Sequence, residues 1–291
     1  MATRTMATEK QLSMKIKSTK GIRKITASMK MVSAAKLKGD ESRLKAAIPY
    51  NKWASSLIGA NVPMENATFE DIPDGALILP LTSDKGLCGG VNSFISRGIR
   101  TMVKSLDAAG KKKISVMVVG DKGRAQMRRF VPQSIVAATT EVMVPRNFML
   151  ASAVTSEVLA LPNFADYTAV VIVYNKFINQ ASYTQQYKIL TPLVSSGEKE
   201  SLLAYEFEPD TKSEVLQDLS EYLLSSTMFH CLMESAASEQ SARMSAMENA
   251  TKNAGDMVQR LTLQYNRARQ SRITTELIEI ISGASALETK N

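Results

Sequence analysis

Residues 237–268 read ASEQSARMSAMENATKNAGDMVQRLTLQYNRA, and the period hidden in that stretch decides the fold. Ala237, Met244, Thr251, Val258 and Tyr265 recur every seven residues, and Gln240, Met247, Ala254, Leu261 and Ala268 follow three places behind. Eight of these ten positions are apolar, which is the pattern of a coiled-coil seam. The seam is narrow, rich in Ala and Met and poor in large aliphatics. Around it the chain lacks helix breakers: Asp210 to Asn291 holds no proline and only two glycines, Gly255 and Gly283. Thr211 with Glu214, just after Pro209, forms a capping-box pattern that marks a helix start. If 213–287 is helical throughout, it spans roughly 110 Å at ~1.5 Å per residue, longer than a compact domain of this size is wide. The spacing therefore predicts a helix that projects from its own domain. At Arg272 the seam breaks and resumes one residue late with Ile273, Leu277, Ile280, Ala284 and Leu287, a shift that rotates the apolar stripe.

Working outward, the amino-terminal segment offers a partner. Ile22, Ile25, Met29 and Val32 are spaced three, four, three, and we expect them to face the carboxy-terminal seam. Pro49 should kink or end this helix, with the pattern resuming to about Ile58. The simplest pairing joins 1–58 and 210–291 as a long antiparallel intramolecular coiled coil. Residues 75–208 read differently. Apolar runs at Ala76–Leu81, Ile114–Val119, Ser134–Ala138 and Ala169–Tyr174 alternate with helical stretches, and Tyr183–Leu190 suits an edge strand. That alternation predicts a Rossmann-like α/β domain with a largely parallel sheet. The expected class is thus a mixed α+β and α/β chain: a two-helix coiled coil built from both termini, plus an α/β foot domain at 75–208.

Charge narrows the function. The chain carries +8 over 291 residues. Residues 1–45 hold twelve Lys or Arg against three acids, 46–212 seventeen against fifteen, and 213–291 seven against ten. The basic excess lies in the first segment, which points to a solvated helix face or an acidic partner. Nucleic acid fits poorly, because no aromatic residue precedes Tyr50 to stack on bases. No run approaches the ~20 apolar residues of a membrane span. Cys88 and Cys231, far apart, suggest reduced thiols.

The turn Ser83-Asp84-Lys85-Gly86-Leu87-Cys88-Gly89-Gly90-Val91-Asn92 tempts a nucleotide reading, but it matches neither the dinucleotide fingerprint nor the P-loop. Cys88 reads as a small core residue. The one histidine, His230, lies beside Phe229 and Cys231 and reads as packed. No cluster has metal-ligand spacing and no catalytic constellation emerges, so we expect no catalytic residue, no cofactor and no metal. A nucleotide-dependent enzyme and a nucleic-acid-binding coiled coil are the competing readings.

Four runs now support a family. IKSTKGIRKITASMKMVSAAKLK, SDKGLCGGVN, MESAASEQSARMSAMENATKNA and YNRARQSRITTELIEIISGASAL together resemble, in order and over essentially the whole chain, the gamma subunit of the rotary F-type ATP synthase. The versions ITASMKMVSAAK and ELIEIISGA look closest to mitochondrial members. The resemblance implies a non-catalytic central-stalk rotor that couples proton-driven rotation of the membrane ring to ATP synthesis in the soluble head. It implies as partners the alpha and beta subunits of the head, the small epsilon and delta stalk subunits and the c-ring, with no nucleic acid and no membrane insertion, on the matrix side of the mitochondrial inner membrane. Carried over residue by residue, it makes Met29 and Lys30, and Arg269, Gln270, Thr274 and Glu276, contacts with the head. Tyr205 and Glu208 become contacts with the membrane ring. Ser271-Arg272 stands where smaller or apolar residues are usual.

Overall fold

The computed structural model describes residues 9–57, 71–108, 114–142, 146–191, 193, 206, 208 and 211–288. Its elements are α1 (Glu9–Leu57), β1 (Leu77–Pro80), α2 (Val91–Ala108), β2 (Ser115–Val119), α3 (Asp121–Met127), β3 (Ile135–Thr139), α4 (Phe148–Leu159), β4 (Val170–Asn179), β5 (Ser182–Leu190) and α5 (Lys212–Glu288). The chain divides into two compact units, one of 1–32 with 246–291 and one of 33–245. Both terminal helices contribute to each.

The larger unit is an α/β domain. Its five strands run in the order β3-β2-β1-β4-β5. β1 pairs parallel with β2 and β4, β2 parallel with β3, and β5 antiparallel with β4 at the edge. The apolar runs are buried on both faces, as parallel strands require. One face packs α2 and α3 through Ile95, Ile99, Met102 and Met127 on Ile78, Val116, Val118 and Val171. The other face, with Leu79, Met117, Ile172 and Tyr174, takes Val154 and Val158 of α4, Leu37 and Leu44 of α1, and Leu224, Met228 and Leu232 of α5. Asn147 caps α4, its side chain accepting from the Leu150 amide at 2.9 Å.

Across 225–243, α5 is buried but polar, and it is tied to the sheet by hydrogen bonds as well as by apolar contact. Ser238 Oγ donates to the Asn175 carbonyl, Ser241 Oγ to that of Gln180, and the Phe177 amide donates to Glu234. Pro49 lies inside α1, which continues through it to Leu57. The adjoining turns bury Ala47, while Lys188 Nζ donates to Asn51 Oδ1 at 2.8 Å, so tertiary contacts outweigh the lost backbone bond.

The smaller unit is a helix pair. Thr26 meets Thr251, Lys30 meets Glu248, and Glu9 lies against Arg272; each step forward in α1 is a step back in α5, so the pair is antiparallel. On α5 the inward positions are Met247, Thr251, Ala254, Val258, Leu261, Tyr265 and Ala268, the seam its sequence announces. On α1 the expected seam is wrong. Ile22, Ile25 and Val32 are 51 %, 61 % and 55 % exposed. The buried row is Leu12, Thr19 and Thr26, continued on the same helix by Ser33. Threonine is tolerated there because its hydroxyl finds the carbonyl of its own preceding turn: Thr19 donates to Lys15 O at 2.8 Å and Thr26 to Arg23 O at 3.1 Å. Beyond Ala268, the described side chains of α5 to Ser285 are all exposed, Ile273, Leu277 and Ile280 among them. The resumed stripe is therefore not covered by any described residue.

Candidate functional site

Two places were singled out by sequence: the glycine-rich turn after β1 and the surface of the helix pair. β1 lies between β2 and β4, the switch point where open α/β sheets hold ligands. Here the turn after β1 is tied by its own side chains to the β2–α3 side. Thr82 Oγ1 donates to Val119 O at 2.7 Å and accepts from the Gly123 amide at 3.1 Å. Asp84 accepts from the Asp121 amide at 2.8 Å and from the Val142 amide at 2.7 Å. Ser83 N donates to Asn92 Oδ1, and Asn92 Nδ2 donates back to Ser83 Oγ. Gly120 has φ +105° and a Cβ there would overlap the Thr82 carbonyl, so glycine is required by conformation and by space. The turn is a strand-to-helix joint held closed. Cys88 packs with Val91 and Ala242, and buried His230 stands 3.7 Å from Glu234.

One buried charge cluster escaped the sequence reading. Glu239 sits between Arg243, 2.6 Å away, and Arg146, 2.9 Å away, with all three side chains buried. Arg243 also reaches Gln240 Oε1 at 3.0 Å and the Gly86 carbonyl at 3.4 Å. The cluster fastens α5 to the turn after β1 and to the segment before α4.

The helix pair presents the other expected residues at two levels. Met29 is half-buried and borders the exposed Ile25 and Val32. Lys30 Nζ is 2.7 Å from Glu248 Oε1, the two side chains 40 % and 58 % exposed. Arg269, Gln270, Thr274 and Glu276 are exposed on α5, and the Thr274 hydroxyl donates to the Gln270 carbonyl at 2.9 Å. The two groups stand roughly 30–40 Å apart along α5 at ~1.5 Å per residue, so they lie at two separate levels. Arg272, the departure noted in the sequence, lies between two carboxylates, 3.2 Å from Glu9 and 3.6 Å from Glu276. Its charge is compensated within the pair. Glu9 also shapes Tyr265: a hydrogen bond to the Glu9 carboxylate, then its charge, pushes the phenol pKa up. Glu208 is exposed, and its carbonyl accepts the Thr211 and Lys212 amides at the start of α5. Tyr205 lies outside the described residues. Among the described residues, no helix is long and apolar enough to cross a membrane.

The described residues thus form an α/β domain with a tightly bonded turn after β1 and an antiparallel helix pair with an exposed apolar stripe and a basic first helix. The comparisons give the family. The ATP synthase family model matches residues 8–287. The Drosophila melanogaster mitochondrial ATP synthase subunit gamma is 43 % identical over 291 residues, covering 98 % of this chain and 92 % of that one. Among solved structures, a chain from the central stalk and c-ring of Tetrahymena thermophila mitochondrial ATP synthase is 29 % identical, with a TM-score of 0.60 over 78 % of this chain and 99 % of its own. A chain of Euglena gracilis mitochondrial ATP synthase shares the fold at a TM-score of 0.78 and 20 % identity, covering 97 % of this chain and 95 % of that chain. The chain belongs to the ATP synthase gamma-subunit family.

Proposed function

We propose that this chain is the central-stalk rotor of a proton-translocating ATP synthase and is itself non-catalytic. In this reading it turns with the membrane c-ring, joined there by the small epsilon and delta subunits, and it sits within a head of alpha and beta subunits on the matrix side of the mitochondrial inner membrane. The observation that carries the reading is the division of labour along α5. One unbroken helix from Lys212 to Glu288 is fastened into an α/β core at 223–243 and pairs with α1 from Met247 onward. Torque applied to the core therefore passes into the helix pair through continuous backbone.

The pair then acts by differential contact. A head subunit that meets Ile22, Ile25, Met29 and Val32 faces an apolar stripe with exposed lysines beside it. One that meets Arg269, Gln270, Thr274 and Glu276 faces charge. As the pair turns, each surrounding site receives a different surface and is biased toward a different conformation. Exposed charge pairs are each worth ~1 kcal/mol or less, and such shallow wells allow the surface to slide. Asp84, Thr82 and Asn92 are already engaged by groups of the chain itself, which disfavours the nucleotide-enzyme alternative.

The test is reconstitution. The chain should assemble with alpha and beta subunits into a head that hydrolyses ATP, and with the c-ring into one that pumps protons. A chain that never co-purifies with such a head refutes the reading. Within that assembly, Met29→Lys should leave hydrolysis within about twofold of the parent while lowering protons moved per ATP; ~1 kcal/mol of new charge interaction is enough to deepen one rotational well. Unchanged pumping would remove Met29 from the contact surface.

A further inference from the structure

The outer surface of α2 and α3 carries charge that the fold does not use. Both helices bury their inner sides on the sheet face opposite to that covered by α4. Their outer side exposes Arg97, Arg100, Lys104, Arg124, Arg128 and Arg129, with Lys122 half-buried beside them. Among the described residues of 91–105 and 121–134 the one acid is Asp121, already held by Arg124 at 2.9 Å and Lys122 at 3.6 Å. Arg97, Arg100, Lys104, Arg128 and Arg129 have no carboxylate partner among the described residues. Like charges crowded on one surface repel one another and oppose folding, so packing does not account for them.

Two phenylalanines set the arginines in place. Phe94 and Phe130 are 49 % and 51 % exposed. Arg97 lies over Phe94, its guanidinium carbon 5.6 Å from the ring centre, and Arg100 lies over Phe130 at 4.8 Å. The second stack ties α2 to the chain just after α3, so the two helices present one surface. Phe94 itself rests on Gly90, where a Cβ would come within 2.6 Å of the ring. Side chains stacked in this way have less freedom to lose on binding, and each guanidinium keeps its N–H edge for a pair of oxygens. The choice of residue agrees. α1 carries ten lysines and two arginines, whereas 91–105 with 121–134 carries five arginines and two lysines. Arginine and aromatic residues are enriched in protein interfaces and lysine is depleted. We propose that the outer face of α2 and α3 is a docking surface for an acidic protein segment, whose Asp or Glu side chains take the edges of Arg97 and Arg100 while apolar side chains cover Phe94 and Phe130. A carboxylate offers the planar oxygen pair that a guanidinium edge matches. Stacked bases fit less well, because the face each ring would offer is taken by its own arginine. This surface goes beyond the rotor reading and does not depend on it.

The experiment uses the full chain and a fluorescent peptide of repeated Glu-Glu-Leu-Glu. Binding, followed by anisotropy, should tighten as salt is lowered, and a carbodiimide should couple the peptide to Lys104. Arg97→Gln with Arg100→Gln should weaken binding about tenfold, and Phe94→Ala with Phe130→Ala several fold. Arg97→Lys with Arg100→Lys keeps the charge but loses the fork, and should weaken it about threefold or more. Lys15→Gln with Lys17→Gln on α1 should change it by less than about twofold. All these positions are exposed, and circular dichroism checks that each variant keeps the fold. Binding that survives the glutamine pair overturns the proposal. So does a lysine pair that binds as the parent does, since the surface would then offer only unspecific charge. Single-stranded oligo(dT) and phosphatidylserine vesicles are the rival occupants. If either depends on the two arginines and binds more tightly than the peptide, the surface serves phosphate groups and the protein assignment falls. None of these readouts needs assembly, so the rotor reading stands or falls separately.

Discussion

Glu239 is the residue on which the union of α5 with the α/β core turns. One guanidinium stands at each of its two oxygens, and little water reaches any of the three groups. Removing one member of a buried ion network leaves charge without compensation, at a cost of about 3–5 kcal/mol. Glu239→Gln should therefore lower the denaturant midpoint of the full chain by an amount equivalent to ~3 kcal/mol at constant slope. A shift under ~1 kcal/mol would mean that water or a neighbouring group stabilises the arginines. Sequence gave no sign of the cluster, because Arg146 and Glu239 are 93 positions apart and no local pattern joins them. The turn of Ser83 to Asn92, by contrast, was legible as a tight joint. Its glycines and its lack of a phosphate motif both follow from local chemistry.

At the scale of elements, the helix α5 and its inward face up to Ala268 could be read while the inward face of α1 could not. Both rest on the same rule of periodicity. In α5 the apolar stripe and the buried stripe coincide as far as Ala268, beyond which the resumed stripe is exposed. In α1 they part: Ile22, Ile25 and Val32 form the apolar stripe, and Leu12, Thr19 and Thr26 form the buried one. A hydrophobic pattern reports that a face will be covered, not by what, and here the larger residues are left for something other than α5. The one sequence signal of the true row was the seven-residue spacing of Leu12, Thr19, Thr26 and Ser33, which hydrophobicity alone discards. The strands were legible because buried parallel strands are short apolar runs bounded by turns.

Two predictions belong to the elements. Gly255 has an ordinary helical backbone, and a Cβ there meets Arg23 Nε at van der Waals distance, 3.9 Å. Gly255→Ala should thus stabilise the chain by about 0.5–1 kcal/mol in thermal unfolding; destabilisation would show that the helices need glycine there to approach. Tyr265 links α5 to the start of α1 through Glu9, which raises the phenol pKa above its ordinary value near 10. The folded state thus favours the neutral phenol. The contribution is complete below the unfolded tyrosine pKa and is lost as pH climbs through the raised folded value. Glu9→Gln should return the Tyr265 titration, followed by ultraviolet absorbance or NMR, toward that ordinary value. An unmoved titration would place Glu9 away from the phenol.

On the scale of the whole molecule, the net charge of +8 proved a weaker guide than its placement. The basic excess sits on α1, where Lys15, Lys17, Lys20 and Lys24 are all exposed, so it is free to meet acidic surfaces without burdening the fold. Both terminal helices enter both compact units, and in the rotor reading that continuity is what carries work from one to the other. The direct measurement is single-molecule rotation of the reconstituted head, held by its alpha and beta subunits, with a bead on a cysteine placed at exposed Ser105 of α2. Supplied with ATP, the bead should turn continuously in one direction, and an α5 made discontinuous by proline at Val258 should turn it weakly or not at all. A bead that stays still while the parent head hydrolyses ATP would contradict the account.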